Sequence, residues 1–294
     1  MQGPLRAGLV GAGPWGRNYI RTIAGLPGLT LARVASRNSQ TKHLVPPGCT
    51  VSADWREVVG AADVDAVIVA TPAATHAQIV LAAIDAGRPV LVEKPMTLDI
   101  GSAGQIVAAA ERSAILVMVD HVHLFHPAFR ELKHVVAEQG PVRAIRARAG
   151  GRGPYRPDLG VLWDWGPHDV AMCIDLLGAE PIAVSAQMLE RRRMGDAFGE
   201  RLQMMLRFPG DVSAEIRLST LDDRHRSFEV QLDSRVLGYD ASPPAAPEDL
   251  PLARALAEFA QAIREGVTTL ESVKLGAAVV RALAHCEAHL GANA

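Results

Sequence analysis

The segment Gly11-Ala-Gly-Pro-Trp-Gly16 constrains this chain more than any other, because it stands between an apolar run, Leu5–Val10, and a helical pattern, Arg17–Ala24. A G-x-G-x-x-G between strand and helix is a dinucleotide-binding signature with a mechanical basis. Gly11 permits the tight turn, Gly13 removes a side chain that would block a pyrophosphate, and Gly16 lets the helix approach the strand. Pro14 suits a first helical turn, whose free N–H groups and dipole then face the phosphates, with Trp15 beside it. Gly11, Gly13, Pro14, Trp15 and Gly16 are the first candidate cofactor-binding residues.

The rest of the first half fits that start. Leu29–Ala35, Ala66–Ala70, Val90–Val92 and Ile115–Val119 are short apolar runs, and Ala77–Ala86 and Gly101–Arg112 repeat their apolar residues at helical spacing. Alternation of this kind predicts a doubly wound parallel sheet, a Rossmann domain over residues 1–120. Beyond it the strand candidates lengthen: Arg143–Ala149, Ile182–Leu189, Leu202–Phe208, Val212–Leu218 and Ser227–Leu237, followed by helical stretches from Leu250 and Glu271. The fold class expected is α/β, the Rossmann domain being joined to a C-terminal α+β domain (121–294) with a large open, mostly antiparallel sheet. A length of 294 residues accommodates two such domains.

At the end of the second apolar run, where an NAD-selective fold carries an acid for the ribose 2′-hydroxyl, this chain has Ser36-Arg37. A carboxylate would repel a 2′-phosphate, whereas Ser36 donates a hydrogen bond and the Arg37 guanidinium pairs with a phosphate. NADP is the preferred cofactor and NAD the alternative.

Composition narrows the function classes. Thirty Lys and Arg against 32 acids give a net charge of −2, and aromatics are 4%, so neither a basic surface nor a stacking platform for nucleic acid is expected. No apolar stretch has membrane-spanning length and no signal-peptide pattern opens the chain, which points to a cytoplasmic protein without a membrane partner. Cys49, Cys173 and Cys286 lie far apart and suggest no disulfide framework. His121, His123 and His126 invite a zinc reading, but on an extended segment they divide between two faces and no cysteine completes the set, so no metal is expected.

Three further segments act together: Ala70-Thr-Pro-Ala-Ala-Thr-His76, Glu93-Lys-Pro95 and Trp163-Asp-Trp-Gly-Pro-His-Asp169. Their combination resembles the glucose-fructose oxidoreductase/inositol dehydrogenase/rhizopine-catabolism (Gfo/Idh/MocA) family of NAD(P)-dependent oxidoreductases, over essentially the whole chain. The resemblance implies an open C-terminal sheet that forms a homodimer or homotetramer contact. It assigns Lys94, Asp164 and His168 to the reacting carbinol, and implies a cis bond at Lys94–Pro95. It also places Thr71, Pro72 and His76 beside the cofactor and Glu93 near the nicotinamide ribose, with Lys94 shared between cofactor and catalysis. Taken alone, Thr75-His76 equally fits a helix cap followed by an exposed histidine.

Chemistry supports the carbinol assignment independently. Moving a hydride to or from an alcohol carbon also requires a proton to leave or reach the oxygen, and so an acid–base group. His168 titrates nearest neutrality, Lys94 can donate a charged hydrogen bond to a developing alkoxide, and Asp164, four residues before His168, shares its helical face. The proton carrier, Lys94 or His168, stays open at this point. His123, His126, Arg152, Tyr155, Arg156 and Trp165 are substrate candidates, although the run His123-Leu-Phe-His126-Pro127 departs from the Arg and Asn of the family, and Gly150–Asp158 fits a solvated loop equally. The expected activity is hydride transfer between NAD(P) and a secondary alcohol or ketone of a sugar, cyclitol or nucleotide-linked sugar. The rivals are a non-catalytic dinucleotide sensor and a reductase of a dihydrodiol, imine or bile pigment.

Overall fold

A computed structural model describes residues 3–292. The chain divides into two compact units. One runs to Val122 and takes in Ala245–Ala277, and the other holds His123–Pro244 and the chain from Ala278 onward.

In the first unit, strands β1 (Leu5–Val10), β2 (Leu29–Ala35), β3 (Thr50–Ser52), β4 (Ala66–Val69), β5 (Val90–Glu93) and β6 (Val117–Asp120) form a wholly parallel sheet in the order β3-β2-β1-β4-β5-β6. This is the doubly wound Rossmann arrangement the apolar runs predict. Its central strands are covered on both faces, and every residue of β4, β5 and β6 is buried, which is why they read as continuous apolar runs. Helix α1 (Pro14–Ala24) presents Gly16, Tyr19, Ile20 and Ile23 inward at helical spacing. The short α2 (Trp55–Val59) is followed by α3 (His76–Asp85), which buries Ile79, Val80, Ala83 and Ile84. Next comes α4 (Ile100–Ser113), whose N-cap Asp99 accepts from the Ser102 N–H. Strand β6 ends the sheet, and the Val119 N–H donates to Ser272 Oγ at 2.9 Å, so the returning segment satisfies an edge donor. A single boundary after residue 120 leaves out this return, which two predicted C-terminal helices gave no reason to assign to the first core.

The second unit opens with α5 (Pro127–Gln139), a helix outside the expected elements, and β7 (Ala144–Gly150). Helix α6 (Val161–Leu177) then precedes β8 (Ala183–Met194), β9 (Ala197–Arg207), β10 (Ser213–Ser219), β11 (His225–Gln231) and β12 (Val236–Gly238). The sheet order is β12-β11-β7-β10-β9-β8, antiparallel except for the β7–β10 pair. The expected single strand Ser227–Leu237 is two strands, because the chain reverses where the Leu232 N–H donates to the Arg235 carbonyl. Strand β7 alternates buried Ile145, Ala147 and Ala149 with exposed Arg146 and Arg148, so only one face of the sheet joins the core. That face packs on α6, and Phe129 meets Phe228 edge to face at 6.0 Å. The tail helices are α7 (Pro251–Arg264) and α8 (Glu271–Ala292). Among the described residues no helix is long and apolar enough to cross a membrane.

Candidate active site

The glycine turn of the first unit has the geometry its spacing requires. Gly11 lies at φ 101°, and a Cβ there would stand 2.6 Å from the Ala70 carbonyl oxygen, while a Cβ on Gly16 would fall 2.0 Å from the Gly11 carbonyl oxygen. Gly13 differs, since a Cβ there meets no protein atom within 4 Å. Nothing inside the protein demands glycine at 13. The missing side chain leaves the N-terminus of α1 open to a bulky ligand. Gly13 is the extended N-cap of α1, without a side-chain cap and without an acid in the first turn, so the helix presents bare N–H groups to an anion. These residues fit a dinucleotide pyrophosphate.

The neighbouring strand ends complete this edge. The Gly11 N–H donates to the Ala35 carbonyl at 3.0 Å, placing Ser36 and Arg37 beside the glycine turn. Ser36 Oγ lies 2.8 Å from Thr41 Oγ1 and accepts from the Asn38 N–H, while Arg37 is exposed. Pro72 and Trp15 are exposed and Thr71 is half-buried. His76 is buried, with Nε2 2.8 Å from the Thr71 carbonyl and Nδ1 3.0 Å from the Pro95 carbonyl. A neutral imidazole has one N–H, and burial pushes His76 below the ordinary histidine range, so it donates to one carbonyl at a time. It ties the Thr71 loop to Pro95. The Lys94–Pro95 peptide is cis, as the resemblance implies.

Beneath Lys94 lies a cluster the sequence reading did not find. Glu93 and Asp120 are register partners on β5 and β6, and Tyr19 of α1 places its hydroxyl 3.0 Å from Glu93 Oε1 and 2.5 Å from Asp120 Oδ2. All three side chains are buried. Burial drives the Glu93 carboxyl up, the Asp120 charge adds to this, and the Lys94 ammonium works against it. Burial likewise raises Asp120, opposed by the Tyr19 hydrogen bond and Lys94. Among the described residues neither ring nitrogen of buried His121 has a hydrogen-bond partner, and burial with the nearby Lys94 charge pushes its pKa down to about 3. His121 is neutral wherever the protein is folded near neutrality.

In the second unit α6 carries the other candidates. Glu200 Oε2 accepts the Val161 N–H at 3.0 Å, closing the N-terminus of the helix, and Trp163 Nε1 donates to Glu287 at 2.9 Å. Asp164 and His168 are one helical turn apart, as their spacing predicts. Arg156 reaches Asp164 at 3.4 Å and Asp158 at 3.0 Å, and Arg152 pairs with Asp223 on the surface at 3.0 Å. Tyr155 and Trp165 are half-buried in or beside this loop. His168 meets His123 edge to face at 4.9 Å between ring centroids, and His123 Nδ1 lies 2.8 Å from the Tyr239 hydroxyl. His126 is the N-cap of α5: Nδ1 accepts from the Ala128 N–H, which leaves Nε2–H to donate to the Ser242 carbonyl at 3.1 Å. Next to His168, Asp169 forms a buried ion pair with Arg226 at 2.7 Å. Among the described residues no group of three or more His, Cys, Asp or Glu is arranged to hold a metal ion.

Residues 5–121 match the model of the oxidoreductase family with an NAD-binding Rossmann fold, and residues 129–239 match the GFO/IDH/MocA C-terminal domain. The chain belongs to the Gfo/Idh/MocA family. It is 34% identical to inositol 2-dehydrogenase 4 of Saccharopolyspora erythraea over 62% of its own length and 57% of that protein. It is 31% identical to UDP-N-acetylglucosamine 3-dehydrogenase of Acidithiobacillus ferrooxidans, again over 62% and 57%. The matched part thus spans under two thirds of these curated relatives. A solved protein from Magnetospirillum magnetotacticum MS-1, which carries the provisional description of an oxidoreductase, superposes with a TM-score of 0.87 at 42% identity, covering 96% of this chain and 99% of that one. The scyllo-inositol dehydrogenase of Lactobacillus casei, solved with NAD(H) and scyllo-inositol, shares the fold at TM-score 0.85 and 20% identity, covering 99% and 98%.

Proposed function

We propose that this chain is an NAD(P)-dependent dehydrogenase acting on a secondary alcohol of a cyclitol, sugar or nucleotide-linked sugar, or on the corresponding ketone. The observation that carries the reading is the pairing of a glycine turn open to an anion at Gly13 with a half-buried ammonium, Lys94, at the carboxyl edge of the same sheet. The cofactor, when bound, supplies hydride exchange at its nicotinamide. Gly11, Gly13, Pro14, Trp15 and Gly16 hold the pyrophosphate, with Thr71, Pro72 and His76 shaping the wall. Lys94 donates a charged hydrogen bond to the substrate oxygen, and His168 exchanges the proton of that oxygen with Asp164 orienting the ring. His123 extends the His168 surface toward Tyr239, while Arg152, Tyr155, Arg156 and Trp165 supply contacts to substrate hydroxyls.

Ser36 and Arg37 favour NADP over NAD, since no acid follows β2 to repel a 2′-phosphate. The relatives' printed names, inositol and UDP-N-acetylglucosamine dehydrogenases, support a polyol substrate. The reading includes a homodimer or homotetramer through the outward face of the second sheet. Steady-state kinetics with both cofactors against a panel of inositols and nucleotide-linked sugars tests it. A higher kcat/KM with NADP is expected, whereas a strong preference for NAD would overturn the cofactor assignment.

A further inference from the structure

One hydroxyl between two carboxyls sets a proton count. Tyr19 Oη lies within hydrogen-bond distance of both Glu93 Oε1 and Asp120 Oδ2, at 3.0 and 2.5 Å, yet it has one hydrogen to donate. The second contact is a hydrogen bond only if that carboxyl is itself protonated and donates to the phenol oxygen. The surroundings agree. Glu93 Oε2 also accepts the Lys94 backbone N–H at 3.2 Å, whereas Asp120 Oδ1 is buried with no hydrogen-bond partner among the described residues. Two full negative charges on adjacent strands, both out of water, would repel one another and each carry a desolvation cost that one shared proton removes.

Around the pair stand Tyr19 from α1, hydrogen-bonded to both carboxyls, and Lys94 after β5, whose charge also acts on His121 after β6 and on His76 of α3. His121 and His76 are both held toward the neutral form by burial, so Lys94 brings the positive charge to this cluster. We propose that Tyr19 bridges Glu93 and Asp120 into a carboxyl pair holding one proton, and that Tyr19 and Asp120 act through this pair as positioning residues for Lys94. One negative charge then stands beside one ammonium, leaving the buried cluster neutral overall. Loss of the shared proton doubles the charge under Lys94. The kinetic part of this inference rests on the proposed dehydrogenase reading, while the proton count does not.

Infrared difference spectroscopy on the full chain at neutral pH tests the proton count without turnover. The wild type is expected to show the carbonyl stretch of a protonated carboxyl, shifted in D2O. Glu93→Gln and Asp120→Asn should each abolish it, because the one remaining carboxyl then carries the charge. Tyr19→Phe, which keeps the packing ring, should keep the band and move it. A wild type without the band, or a band indifferent to Glu93→Gln and Asp120→Asn, would overturn the pair.

In the kinetics, kcat of the wild type should show an ionisation step that Asp120→Asn lacks. Tyr19→Phe should displace it to higher pH, since the hydroxyl stabilises the charged carboxyls. At the pH optimum Asp120→Asn is expected to lose about tenfold in kcat with cofactor affinity within about twofold. A uniform loss at every pH with the step unmoved would reduce Tyr19 and Asp120 to packing residues. A wild type inactive toward every polyol would defeat the dehydrogenase reading instead, with the infrared band still deciding the pair.

Discussion

At the carboxyl edge of the first sheet, Glu93 and Asp120 face each other because two neighbouring strands are in register, and backbone pairing alone brings them together. On α6, Asp164 and His168 share a face through one helical turn, but side chains distant in sequence hold their surroundings: Glu200, Tyr239 by way of His123, and Arg226 on the adjoining Asp169. The first region is fixed by a sheet that cannot slip without moving every residue to the other face. The second hangs on hydrogen bonds and ion pairs that single substitutions remove. Catalytic loss should therefore be separable from stability loss at Lys94, and harder to separate around α6.

The largest effects fall on the groups that meet the substrate. Lys94→Ala and His168→Ala should each lower kcat by on the order of 10² to 10⁴ with cofactor affinity largely retained, measured by steady-state kinetics and fluorescence titration of reduced cofactor. Near-normal rates in both would break the catalytic assignment. Next comes Asp169→Asn, which leaves Arg226 facing a neutral amide in a buried site. A cost of about 3 kcal/mol in denaturant unfolding is expected, and a change under about 1 kcal/mol would show that the ion pair does not hold α6.

The smallest expected effect is a pH slope. The folded pKa of His121, about 3, lies below the ordinary 6.5 of an exposed histidine, so protons bind preferentially to the unfolded chain between those values. This contribution is complete above pH 6.5 and is lost as pH falls toward 3. His121→Phe removes the titrating ring and two nitrogens that have no partner among the described residues, so its Tm should decline less steeply than that of the wild type over the same range. Parallel declines would mean that His121 gains a partner in solution.

Comparing the two regions also explains what the sequence could tell. The glycine turn and the one-turn spacing of Asp164 and His168 were legible because each depends on residues within one turn, whereas Lys94 was singled out by the resemblance. Tyr19 was not, because its partners lie 74 and 101 residues away and nothing local distinguishes a buried tyrosine that bridges two acids from one that fills a core. Asp120 and His121 close an apolar strand, and their burial depends on α1 and on the returning segment. The parallel sheet was legible from its apolar runs, whereas β3 is only three residues long and too short to show a period. The β11–β12 reversal turns on Leu232 to Arg235, without a glycine to announce it. His126 reads as a ligand in isolation, and only its place before Pro127 at the start of a helix marks it as a cap.

The most direct measurement is isotopic. With the inositol or sugar that proves active deuterated at its reacting carbinol carbon, and with oxidised cofactor present, the account predicts that deuterium appears on the reduced nicotinamide in wild type, and on the order of 10² to 10⁴ more slowly in Lys94→Ala. Tight cofactor binding with no label transferred from any polyol would contradict it.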